Sequence, residues 1–181
     1  MNTGDLQKQA LNSASNYFKP VFDANTLSVT STTSDTPPFL APLAANLLAL
    51  RAKGNWSIPE LAEQSRVNSR MIRLVEAGQV NASLNTVDRL ARALGVTTGS
   101  LVGAKPVARP EGDAPIEEVL ARNLVSARKA LLLTQDKLGQ RSGVSMYVIA
   151  HIERQARNPS LQTLARLAAS LDVSMEALLS K

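Results

Sequence analysis

The sequence predicts an all-α protein in which one helical unit occurs twice in tandem. Three observations carry that prediction. The 181-residue chain is 44% hydrophobic but only 3% aromatic, and alanine and leucine dominate its second half, so the core is aliphatic and the local preference helical. An offset of 77 pairs Asn46 with Asn123 and runs without a gap to Val102 and Leu179. Along it the first copy shares Leu47, Arg51, Leu61, Ser65, Val67, Ile72, Glu76, Asn81, Ser83, Leu84, Thr86, Arg89, Leu90, Leu94, Val96 and Leu101 with the second. The apolar matches fall where a helical core needs them, as an internal repeat requires. Finally, Thr134–Leu178 reads as two short helices around a glycine turn followed by further apolar helices.

In chain order, Asp5–Phe18 places Leu6, Ala10, Leu11, Ala14, Tyr17 and Phe18 near helical spacing, and Lys19-Pro20 ends that helix. It either packs on its own domain or serves as a dimerisation arm. Val21–Pro38, rich in Thr, Ser and Asp, reads as a flexible linker or as one short strand near Leu27–Ser31. Together these make an N-terminal segment, 1–38. Pro42 can begin the first helix of a domain spanning 39–102. Ser57 and Glu60 form a capping box there, with Trp56 filling the core before them. Residues 103–115, with three prolines and two glycines, form a linker. These 13 residues reach at most about 43–47 Å when extended. A shorter, docked arrangement is equally allowed. The second domain is 116–181.

Within that domain Thr134 can N-cap a helix, Gly143 can supply a sharp turn, and Ser145 can cap the next helix. Ile149 and Ile152 share one face of it, and Met146, Tyr147, Ala150 and His151 another. One buried side and one polar-edged side behind a tight turn suit insertion into a major groove.

This stretch, with Asn158-Pro159-Ser160-Leu161 entering the next helix and Val173-Ser174 opening the last, resembles the lambda-repressor/Cro-type (XRE) helix-turn-helix family over Ile116–Lys181. The resemblance implies two tandem five-helix domains, preceded by the N-terminal helix and flexible arm. It also implies double-stranded DNA as partner and a prokaryotic, phage or mobile-element setting. By that resemblance Ser145, Met146, Tyr147 and His151 face the DNA. Tyr147 can donate and accept a hydrogen bond, Met146 can meet a thymine methyl, and His151 can donate to guanine or phosphate. Without the resemblance His151 reads as a satisfied surface residue. Gln135 matches the family's phosphate-binding glutamine at a positive helix end, and Arg157 and Asn158 should reach a phosphate. Arg128 and Glu153, like Arg51 and Glu76, are 25 residues apart and match an internal salt bridge of the family.

The first domain departs from that pattern. Ile58 replaces the glutamine, and Arg66 stands where the second copy has Gly143. At positive φ an arginine costs about 1 kcal/mol. The helix that follows presents Ser69, Arg70, Arg73 and Leu74. Arg70 and Arg73 can bind guanine or phosphate, whereas Leu74 cannot hydrogen-bond a base. This domain therefore reads DNA differently or binds protein. The second domain departs once, placing Gln155 where the first keeps Gly78.

Composition narrows the function. The net charge of +5 is uneven: 46–105 carry eight basic against four acidic residues, 106–181 ten against eight, and 1–45 two against three. A basic excess on the helical regions suits phosphate binding, although a mixed soluble surface gives the same count. Without cysteine there is no disulfide and no thiolate site, and one histidine makes no metal centre. No glycine-rich phosphate loop or nucleophile–histidine pair is present, so neither an enzyme nor a cofactor is expected. No signal peptide or membrane-length apolar run occurs, so the expected location is the cytoplasm. The resulting expectation is a sequence-specific transcriptional regulator that represses by occluding a promoter with recognition helices near 145–154 and 68–77. Activation through RNA polymerase, a homodimer through the N-terminal helix, contact with another regulator (an antiactivator) and an antitoxin role remain open.

Overall fold

The computed structural model describes Pro37 and residues 39–180. The N-terminal helix at Asp5–Phe18 and the strand near Leu27–Ser31 lie outside the described residues. The described residues belong to one compact unit. They form ten helices: α1 (Leu40–Lys53), α2 (Ile58–Ser65), α3 (Ser69–Glu76), α4 (Leu84–Ala93), α5 (Thr98–Val102), α6 (Ile116–Ala130), α7 (Gln135–Ser142), α8 (Met146–Glu153), α9 (Leu161–Ser170) and α10 (Met175–Leu178). Five belong to each sequence repeat.

Short polar side chains start most of these helices. Ser57, Asn68, Ser83 and Thr97 accept N-terminal backbone N–H groups in the first repeat, as do Thr134, Ser160 and Ser174 in the second. Each such bond is worth about 1 kcal/mol. The Ser57–Glu60 capping box is complete in both directions. Helix α1 begins at Leu40, two residues before Pro42, whose missing N–H costs nothing within the first turn.

The backbone repeats even where the side chains do not. Left-handed residues occur at Asn55 and Leu132, Arg66 and Gly143, Gly78 and Gln155, and Gly95 and Asp172, four pairs each 77 apart. The core repeats likewise. Leu47, Leu61, Ile72, Leu90 and Leu101 are fully buried, and so are Leu124, Leu138, Ile149, Leu167 and Leu178. Each such side chain contributes about 1.5–3 kcal/mol by leaving water. Trp56 and Ile58 pack half-buried against the same core.

The two repeats dock directly. Helix α5 is buried along its whole length and packs on α10. Beside them the segments Ala82–Asn85 and Pro159–Gln162 pair in antiparallel fashion around Ser83 and Ser160. Residues 103–115 fold back on the first repeat: Thr97 N donates to Val107 O (2.9 Å) and Arg109 N to Gly95 O (2.9 Å). The Arg109 guanidinium, only 10% exposed, reaches both Asp88 and Asp113 at 3.1 Å. Asp88 also accepts from Thr98 Oγ1 (2.6 Å) and Arg92 Nε (2.7 Å). Burial pushes its carboxyl up, but these bonds and the two guanidinium charges more than offset that and hold it below the usual range.

Candidate nucleic-acid interface

The second repeat builds its exposed helix from a rigid base. Thr134 caps α7 by accepting from Lys137 N (3.1 Å). Gly143 (φ 65°) ends α7, and Ser142 ties the turn by donating to Leu138 O (2.7 Å) and accepting from Val144 N (3.2 Å). Ser65 does the same in the first repeat, donating to Leu61 O (2.6 Å) and accepting from Val67 N (3.3 Å). There Arg66 adopts the left-handed turn itself, at φ 55°. Gly139 lets α7 approach the turn closely, since a Cβ there would stand 2.9 Å from Val144 O and 3.3 Å from Met146 N. The equivalent Ala62 has that Cβ.

Helix α8 buries Ile149 and Ile152 completely and leaves Met146 51% and Tyr147 61% exposed. His151, half-buried, lies against Tyr147 with ring centroids 4.1 Å apart and planes at 52°. Sequence spacing placed these three on one face, and the structure brings them together there. Ser145 sits at the N-cap position, but its hydroxyl caps nothing, which corrects the expected cap. In the first repeat Asn68 makes that bond, to Met71 N at 2.8 Å.

The far end of α8 is clamped to α6. Arg128 Nε and Nη2 donate to the Glu153 carboxylate (2.6 and 2.9 Å), and Nη1 donates to Leu133 O (2.8 Å). Gln135 Nε2 donates to the same carboxylate (2.7 Å). In this structure the Gln135 amide is therefore anchored to α8, with its second N–H left for another acceptor. Burial pushes Glu153 up, yet the hydrogen bonds from Arg128 and Gln135 hold its carboxyl below the ordinary range. In the first repeat Arg51 holds Glu76 alike (2.6 and 3.2 Å) and donates to Trp56 O (3.0 Å). Ile58 adds no bond there and packs on the core instead.

Helix α3 exposes Arg70 and Arg73, with Ser69 and Leu74 half-buried, over a buried Ile72 and Val75. After α8, Arg157 is exposed. Asn158, however, gives its side-chain oxygen to Asn85 N (3.0 Å), so it helps join the repeats as well as lying near the exposed helix. Sequence reasoning missed Arg166. With Arg157 it lines a groove closed by Gly143, Ser145 and Asn158, beside the first turn of α8. Its signal was the Arg89–Arg166 identity along the repeat. Among the described residues no group of three or more His, Asp or Glu side chains is placed to hold a metal. No described helix is long and apolar enough to cross a membrane.

Comparison with known proteins gives matches over both repeats. A family model for helix-turn-helix domains (HTH_3) matches residues 47–101 and 124–178. Control protein C.SmaI of Serratia marcescens is 39% identical over 66 residues, 36% of this chain and 79% of that protein. A hypothetical transcription factor of Neisseria meningitidis serogroup B is 31% identical over 78 residues, 43% of this chain and 74% of that protein. Among solved structures, an HTH_3 family transcriptional regulator from Vibrio cholerae is 32% identical with a TM-score of 0.34, over 35% of each chain.

Proposed function

The chain belongs to the XRE-type helix-turn-helix family of DNA-binding transcriptional regulators, and on that premise we propose that it is a sequence-specific repressor reading the major groove chiefly with α8. The observation that carries this reading is the exposed Met146–Tyr147–His151 face of a helix whose other side is fully buried and whose end is clamped by Arg128 and Gln135. Such a face can reach base edges without the helix having to be ordered on binding. Gln135, Ser145, Arg157 and Asn158 contribute phosphate contacts that set its register. Arg70 and Arg73, flanked by Ser69, do the reading for α3. Occupying a promoter in this way excludes polymerase, hence repression.

Genomic-DNA pulldown and sequencing tests the reading, run with the natural protein and with Tyr147→Ala/His151→Ala. A shared motif that disappears in the double variant is expected. An absent motif, or one indifferent to the variant, would leave an interaction protein as the better account. Arg70→Ala/Arg73→Ala addresses α3 separately: unchanged DNA affinity would make the first domain a protein-binding module, as Ile58 and Leu74 suggest.

A further inference from the structure

We infer that a single chain reads an operator whose two half-sites are inverted and unlike. The inference rests on the DNA reading just proposed and adds the form of the site.

The contacts between the repeats come in pairs that exchange under the 77-residue offset. Leu84 N donates to Pro159 O (2.8 Å) and Leu161 N to Ala82 O (2.9 Å). Asn85 N donates to Asn158 Oδ1 (3.0 Å) and Gln162 N to Asn81 Oδ1 (3.0 Å). Ser83 pairs with its own equivalent, Ser160. Residue i touching j while the equivalent of j touches the equivalent of i is the signature of a two-fold interface. The axis passes between Ser83 and Ser160, the ends of the loops that leave α3 and α8. Repeats that follow one another along the chain are thus inverted in space, and a two-fold reader requires inverted half-sites, not direct repeats.

The interface also selects unlike partners. At the α5–α10 contact Gly99 faces its own equivalent, Glu176. A Cβ on Gly99 would strike Ser180 Oγ and stand 3.0 Å from the carbonyl oxygens of Glu176 and Leu179. Gly103 leaves room for the Glu176 carboxylate, which a Cβ there would overlap. Two second repeats docked in this way would put the Glu176 side chain where Gly99 stands, against the partner's Glu176 and Leu179 carbonyl oxygens, and two first repeats would leave a gap between their glycines. One chain supplies the matched pair, with the second member held at high local concentration by 103–115.

The reading faces differ in chemistry. Where α3 presents Ser69, Arg70, Arg73 and Leu74, α8 presents Met146, Tyr147, Ala150 and His151. Arginine favours guanine O6 and N7, and methionine favours a thymine methyl, so neither half-site is a copy of the other.

Selection of random duplexes with the full chain, with native mass of the complex, tests this. The expected result is one chain per duplex and a motif of two inverted, unlike halves. The variant Ser69→Met/Arg70→Tyr/Arg73→Ala/Leu74→His should then select a palindrome of the α8 half and bind it about tenfold tighter than the natural motif. The surface variant Arg70→Ala/Arg73→Ala should lose one half of the motif only. Direct repeats, a palindrome for the natural chain, a half-site unmoved by either variant, or two chains per duplex would overturn the inference while leaving the DNA reading intact. No enriched motif would overturn the DNA reading itself.

Discussion

Replacing Glu153 by glutamine tests how the reading helix is held. The carboxylate accepts from Arg128 Nε (2.6 Å), Arg128 Nη2 (2.9 Å) and Gln135 Nε2 (2.7 Å). Glutamine preserves the volume but offers one acceptor oxygen and presents an NH2 group where donors already point. Placed where Oε2 stands, that oxygen keeps the bonds from Arg128 Nη2 and Gln135 Nε2 without their charge, and the Arg128 Nε bond, worth about 1.5–3 kcal/mol because an ionised group takes part, fails. Arg128, only 13% exposed, keeps Leu133 O and regains some water, so the net loss should be about 3 kcal/mol. For a domain of this size that lowers Tm by about 6–12 °C. The loss has a defined pH dependence. Glu153 has a folded pKa below its ordinary value, so its stabilising contribution is complete above the unfolded value of about 4.3 and is lost as pH falls through the folded one. Urea unfolding followed by circular dichroism at pH 7 and pH 3 measures both effects. A gap between natural and variant protein below about 1 kcal/mol at pH 7, or one that does not narrow at pH 3, would refute the reasoning. DNA affinity should fall as well, because the Arg128 clamp on α8 is weakened.

Three further outcomes follow from the same geometry. Gly143→Ala should cost about 1–2 kcal/mol from backbone strain alone, because φ is 65° and the added Cβ meets nothing within 4 Å; thermal melts check this. Gly99→Val should separate the repeats, since its Cβ has no room against α10, and calorimetry should then show two transitions in place of one. Asp88→Asn should cost about 2–3 kcal/mol at pH 7, with Asp113 still holding Arg109. Because the Asp88 folded pKa is depressed, the difference should fade below about pH 3.9, and limited proteolysis should find 103–115 cut faster.

Much of the fold was legible because its causes are local. Capping residues, left-handed turns and the spacing of Leu and Ile act within a few residues, so Thr134, Gly143 and the Ile149–Ile152 face announce themselves. The Arg51–Glu76 and Arg128–Glu153 pairs were also legible, through their equal spacing and the family they resemble. The tilted contact of Tyr147 with His151 follows from helical periodicity, four residues apart. Ser145 has the residue type of a cap but makes no capping bond, because capping also depends on the rotamer and on the neighbouring turn.

By itself, then, the sequence determined that there are two like helical domains, which helix of each is presented, and which ion pairs brace them. Tertiary structure alone decided how the domains meet. It turned a proline-rich linker into a packed segment through Arg109 and Asp88, drew Asn158 into the junction, and set Gly99 against Glu176 across a two-fold. Those contacts join residues many tens of positions apart and depend on shape and buried charge in three dimensions. No local period encodes them, because each partner's neighbours in the chain are indifferent to the other's presence.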